Sequence, residues 1–157
     1  MSSWLASIGG LPTHPLLVHL PVVLVPLAAI LAIVIAARAS WDRRIGGVVV
    51  LIALGGALSS LLAKESGEQL ARRLGNPIDH AHWGSRLPLI AGALFLAVLI
   101  LWLFDRGIPG NRRRPWWLVL LAVVVIVVAV VALWWTWRTG DSGARAVWEP
   151  LMRRGSP

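Results

Sequence analysis

Four apolar runs, at about residues 15–37, 45–63, 87–104 and 115–137, contain no Asp, Glu, Lys or Arg. A hydrocarbon core is crossed by ~20 helical residues, so each run is long enough to span it. Lipid offers no hydrogen bonds, and a helix satisfies all of its backbone groups internally. These runs therefore predict an all-α integral membrane protein built as a four-transmembrane-helix bundle. Residues 1–157 are read as a single membrane domain, with 138–157 as a short amphipathic C-terminal tail.

Composition agrees and removes several classes of function. The chain is 57% hydrophobic and 14% charged, whereas a soluble domain carries about 25% charged residues. It has no cysteine, which excludes disulfides, thiolate metal sites and covalent c-type haem attachment. The net charge of +8 comes from basic side chains lying between apolar runs. That placement suits membrane anchors, and nucleic acid is not an expected partner. The first thirteen residues hold no basic side chain, and the first run exceeds a signal h-region, so it is read as a retained span.

Basic residues set the expected orientation. The two short connections hold Arg38, Arg43 and Arg44, then Arg106, Arg112, Arg113 and Arg114, while the longer middle connection mixes both signs. By the positive-inside rule the short connections are cytoplasmic and both termini extracytoplasmic. The expected location is a bacterial cytoplasmic (inner) membrane, multi-pass, with the lipid bilayer as the first partner. Tryptophans fit two interfacial belts: Trp41, Trp102, Trp116 and Trp117 inside, and Trp83, Trp134, Trp135 and Trp137 outside.

Small residues predict where helices touch. Gly55/Ser59 and Gly56/Ser60 form small-xxx-small pairs in the second run, and Gly84 precedes the third. Close backbone approach holds helices together in lipid. The valine-rich fourth run, from 123 to 131, is expected to be lipid-facing or peripheral. Thr139-Gly140-Asp141-Ser142-Gly143 reads as a turn-rich break. Beyond it, Val147, Trp148 and Leu151 either share one face of a short interfacial helix or belong to a disordered tail.

All four histidines, His14, His19, His80 and His82, stand at the starts of the first and third runs. Those runs enter the membrane from one side. Pro15 suits a first helical turn, and Asn76-Pro77-Ile78-Asp79 reads as the start of the third helix. Counting from the other end at 1.5 Å per residue puts His14 ~36 Å and His80 ~37 Å up, level with Glu68, and His19 and Glu65 a turn or more deeper. His14 and His19 lie about 140° apart around a helix, so one regular helix cannot chelate with both. A site must draw one imidazole from each of two helices. His80 shares a face with Gly84, Leu87 and Ala91, whereas His82 shares one with Arg86.

The stretch Gly10-Leu11-Pro12-Thr13-His14-Pro15-Leu16-Leu17-Val18-His19-Leu20-Pro21 resembles the opening of an uncharacterised bacterial family of predicted four-span membrane proteins. That family's pattern is G-x-P-x-H-P-x-x-V-H-x-P, and every fixed position is met. The likeness continues through Glu65-Ser66-Gly67, His80 with Gly84, and Gly140-Asp141-Ser142-Gly143-Ala144 to Trp148. Family members often carry histidine where Asp141 stands, and His82 is outside the pattern. The resemblance implies four spans and singles out His14, His19 and His80 without supplying an activity.

Two functional readings follow. In the first, His14, His19 and His80 are ligands of a divalent metal ion or axial ligands of a b-type haem, supported by Glu65, Glu68, His82 or Asp141. His19 is the strongest single expectation, because an imidazole inside an apolar run is costly unless it has a use. In the second, the chain is a cofactor-free accessory or scaffold subunit of a larger membrane complex. No catalytic residue is assigned, and the sequence does not decide whether the chain is an enzyme. A transporter is disfavoured, since no charged residue interrupts any run.

Overall fold

The computed structural model describes residues 7–8, 11–75, 78–109 and 113–154. Gly10, Asn76, Pro77 and Arg112 from the sequence reading lie outside these residues. A two-residue antiparallel pairing, β1 (Ser7–Ile8) with β2 (Leu11–Pro12), precedes the helices. Then come α1 (His14–Leu17), α2 (His19–Ala37), α3 (Ala39–Leu74), α4 (Ile78–Asp105) and α5 (Trp116–Arg154). With α1 and α2 taken as one segment, four helices are long and apolar enough to cross a membrane.

Local chemistry explains the helix starts. Thr13 is the N-cap residue of α1, and Pro15 occupies its first turn, where a missing N–H costs nothing. Pro21 has no N–H to offer the Leu17 carbonyl, and the helix is interrupted at Val18. The reversal between α2 and α3 needs only Arg38, in extended conformation. Residues 39–44 and 64–74, read from sequence as connections, are therefore the two ends of a 36-residue helix. Charge marked them as outside the apolar core, but charge does not end a helix.

The helices form a square in which α2 and α4 each pack on both α3 and α5, and lie diagonally opposite one another. Each contributes one buried stripe. Leu87, Ala91, Leu94, Val98 and Leu101 recur on α4 at alternating steps of four and three, as do Leu118, Ala122, Val125, Ala129 and Ala132 on α5. That 3.5-residue period is the seam of a left-handed bundle. On α2 the stripe is mostly alanine: Ala28, Ala29 and Ala32 are 0% exposed. Large apolar side chains such as Val23, Leu51, Leu89 and Val127 point outward, as a lipid-facing surface requires.

Two expectations need correction. The fourth span is not peripheral: Val123, Val124, Val127 and Val130 are exposed, but the alternate face is buried as deeply as those of α2 and α4. The break at 139–143 does not occur, because α5 runs through it. Thr139 and Ser142 turn their hydroxyls onto the carbonyls of Trp135 and Thr139, both at 2.9 Å. Asp141 pairs with Arg138 at 3.6 Å and Arg145 at 3.0 Å along the helix. Turn-forming residues stay helical when their polar groups are satisfied within the helix. The residues beyond continue α5, with Val147, Trp148 and Leu151 exposed.

The two ends differ. At the α2–α3 turn, Arg114 donates to the carbonyls of Ile35 (3.0 Å) and Ala36 and pairs with Asp105, so it joins the last turns of α2 and α4. Arg106 stacks on Trp102 at 4.7 Å, and Phe104 meets Trp117 edge-on at 5.3 Å. At the other end Trp83, Trp134 and Trp135 form a mutual edge-to-face cluster. Arg138 lies over Trp83 at 5.1 Å. These are the two aromatic belts that the sequence places at opposite interfaces.

Of the expected packing residues, Gly56 carries the tightest contact. A Cβ there meets Val25 Cγ2 at 3.1 Å and the Val25 backbone nitrogen at 3.4 Å, whereas Gly55 meets only Leu24, at 3.4 Å. Ser59 and Ser60 are buried but bond the carbonyls of Gly56 and Ala57 within α3. Gly56→Leu is expected to push α2 from α3 and to cost about 1–3 kcal/mol, as overpacking does. Gly92→Leu, where a Cβ meets nothing within 4 Å, serves as the control. Thermal unfolding in detergent should separate the two variants clearly.

Candidate functional site

The structure brings two of the four histidines together. His14 opens α1 and His80 lies in the first turn of α4, on diagonal sides of the bundle. Their rings meet edge to face, with centroids 6.0 Å apart and planes at 65°. Both are half-buried.

Each imidazole rests on the helix that follows it, in the same kind of seat. His14 Nδ1 bonds the Ala63 carbonyl at 3.0 Å and contacts Ser66 Oγ at 3.2 Å. His80 Nδ1 bonds the Thr139 carbonyl at 3.2 Å and contacts Ser142 Oγ at 3.4 Å. In both seats the serine hydroxyl donates to that same carbonyl, at 2.9 Å. A glycine then leaves the space the ring occupies. A Cβ on Gly67 meets His14 Cε1 at 2.9 Å, and one on Gly143 meets His80 Cε1 at 3.0 Å. The ring sits where a side chain is missing.

Hydrogen-bond chemistry fixes the tautomer. A carbonyl oxygen only accepts, so each Nδ1 must carry the proton and donate it. In the neutral imidazole, Nε2 then bears the free lone pair. An Nδ1–H anchored on a backbone carbonyl, with Nε2 free, is the arrangement typical of metal-ligating histidine.

The remaining candidates lie elsewhere. His19 is exposed on α2: with His14 turned onto α3, the rotation of about 140° carries it to the outer surface. His82 is exposed and bonds Arg86 through Nε2 at 2.6 Å. Glu65 is exposed, and Glu68 is exposed and pairs with Lys64 at 3.7 Å. Asp141 serves the arginine ladder on α5. A Cβ on Gly84 would meet Thr139 Cγ2 at 3.9 Å, an ordinary contact between α4 and α5. Among the described residues, no three His, Asp or Glu side chains converge on one point. The geometry offers two imidazoles and no carboxylate.

Sequence reasoning missed the seats. Ala63, Ser66 and Gly67 on α3 repeat the spacing of Thr139, Ser142 and Gly143 on α5, each triplet with an acid before the serine. Helices α3 and α5 thus present the same seat, one to His14 and the other to His80. That repeated spacing was the available signal, and reading 139–143 as a break concealed it.

Fold and site together define a four-helix, multi-pass membrane protein with a paired-histidine site at one end of the bundle. The chain belongs to the predicted membrane protein family DUF2231, whose model matches residues 10–153. No curated protein and no solved structure matches it.

The seats can be tested directly. In ¹⁵N-imidazole NMR, His14 and His80 should each show an Nδ1–H proton held in a hydrogen bond to a backbone carbonyl. Gly67→Ala should displace the His14 signals and Gly143→Ala the His80 signals. Each change is expected to cost about 1–3 kcal/mol where the ring cannot move aside.

Proposed function

We propose that the His14–His80 pair binds one metal ion, or the iron of a b-type haem, at the extracytoplasmic end of a bundle in a bacterial inner membrane. Such a site serves redox chemistry or metal handling. One observation carries this reading. Two imidazoles from diagonal helices adjoin, each held through Nδ1 on a carbonyl, and among the described residues neither Nε2 has a hydrogen-bond partner. An ordinary interfacial histidine has no need of a serine, a carbonyl and a glycine arranged around it. The same arrangement occurs twice.

The donor set suits the group. Neutral imidazole ligates zinc, copper and iron, and histidine axial ligation holds b-type haem. When bound, the metal or haem supplies Lewis acidity or one-electron chemistry. The protein supplies two pre-oriented nitrogens, and the Ser66 and Ser142 hydroxyls that reinforce the carbonyls anchoring them. His19 takes no part as a ligand on this geometry, nor do Glu65 and Glu68.

A second reading rests on a different observation. The two rings already pack on each other, which in itself ties α1 to α4 across the bundle. On that reading the pair is a structural clasp, and the chain is a cofactor-free accessory subunit of a larger membrane complex.

Absorption spectra and elemental analysis of the purified protein distinguish them. A bound group should give either a Soret band or one metal per chain. His14→Ala and His80→Ala should each abolish it, while His19→Ala and His82→Ala retain it. A blank spectrum with no metal, from cells supplied with haem, iron, copper and zinc, leaves the clasp.

A further inference from the structure

The opposite end of the bundle buries a second set of ionisable groups, from elements that the sequence places apart. Asp42 lies in the first turn of α3, Asp105 ends α4, and Arg114 stands just before α5. Both aspartates are 0% exposed, and the Arg114 side chain is 9% exposed. All three lie beyond the uninterrupted apolar runs.

Arg114 has little left to give Asp42. Its Nε donates to both Asp105 oxygens, at 3.1 and 3.0 Å, and its Nη2 to Asp105 Oδ2 and the Ile35 carbonyl. Its Nη1 donates to the Ala36 carbonyl. The approach to Asp42 is 3.8 Å from Nη2 to Oδ2, too long for a hydrogen bond. Both Asp42 oxygens are consequently buried with no donor among the described residues. Arg114 nonetheless brings the two carboxyls together, since its Nη2 pairs with Asp105 Oδ2 and stands 3.8 Å from Asp42 Oδ2. Two ionised carboxylates cannot bond each other, and they leave this cluster at −1 away from water.

We propose that Asp42 and Asp105 hold one proton between them, and that this Arg114-clamped pair is a proton-binding site. A single proton supplies the one donor the geometry lacks. It forms an O–H on one carboxyl, donated to an oxygen of the other, and brings the cluster from −1 to neutral. It comes from the adjoining aqueous phase, and no other bond is made or broken. The surroundings discriminate against alternatives. Among the described residues, the charged groups recorded as facing Asp42, besides Asp105, are cationic: Arg114 and half-buried Arg43. The Trp102 indole lies over Gly46 next to the Asp42 carboxyl, closing that side with apolar surface. With a guanidinium in contact and arginines around it, the pair is a poor seat for a metal cation and a good one for a proton.

Infrared spectroscopy of the whole protein in lipid tests this. At neutral pH a carboxylic acid C=O band should be present that shifts down in D₂O and shifts again when aspartate is ¹³C-labelled. The labelling arm needs no variant. Asp42→Asn places an amide donor where the proton sits, so it should fold, lose the band and leave Arg114 on Asp105 as before. Thermal unfolding supplies an independent readout. A proton held only in the folded state makes the wild type lose stability as pH rises past its release, and Asp42→Asn should lack that loss. An aspartate signal that is wholly carboxylate at neutral pH overturns the proposal, as does a carboxylic band that survives in both Asp42→Asn and Asp105→Asn.

Discussion

Apolar side chains gain nothing by leaving lipid for the interior of a bundle, so this fold must be held by something other than the hydrophobic effect. Close contact supplies the middle. The alanine stripe of α2 and the Gly56–Val25 contact bring backbones near enough for dispersion to accumulate. Polar contacts supply the ends, where partial dehydration strengthens them. Arg114 joins α2 to α4 at one end, and the His14–His80 pair joins α1 to α4 at the other. Both clasps run across the diagonal, where the helices themselves barely meet. Candidate chemistry and bundle architecture therefore use the same residues, which is why substitutions there must be read with a fold control beside them.

Most of the frame was legible in the sequence because its causes are local or periodic. Apolar run length announced four spanning helices, and tryptophan positions announced two belts. Counting rise from the basic ends put His14 and His80 at one height, and their rings do meet. Helical phasing said that one regular helix cannot chelate an ion with both His14 and His19. The further step, choosing between them, needed to know which face of α1 turns toward α3, and periodicity alone does not say. The expectation favoured His19 for its depth in an apolar run, yet depth is cheap for a side chain on the outer surface near the interface.

What escaped the sequence depends on partners far along the chain. Ser142 and Thr139 look like turn formers until their hydroxyls are seen to bond within α5. Gly67 and Gly143 look like helix breakers until an imidazole is found filling the space each leaves. Asp42 looked like a loop residue because three arginines flank the same reversal, whereas it is sealed inside by an arginine 72 positions later. In each case the residue's place is explained by a contact from a distant part of the chain or from its own turn.

An apolar middle separates the His14–His80 pair from the Arg114 clasp. Between them, the buried hydroxyls of Ser59, Ser60 and Thr136 all spend their donors on carbonyls of their own helices, at 3.1, 2.7 and 2.8 Å. Apart from those hydroxyls, the described interior between the two ends is aliphatic. Influence between the ends can still travel mechanically, because α2 and α4 each carry, or directly continue, a member of both clasps. Loosening Arg114 from the end of α2 frees the helix whose beginning holds His14. Coupling of that kind requires a bundle with two discrete arrangements. The helices that join the His14–His80 pair to the Arg114 clasp are the physical link such coupling would use.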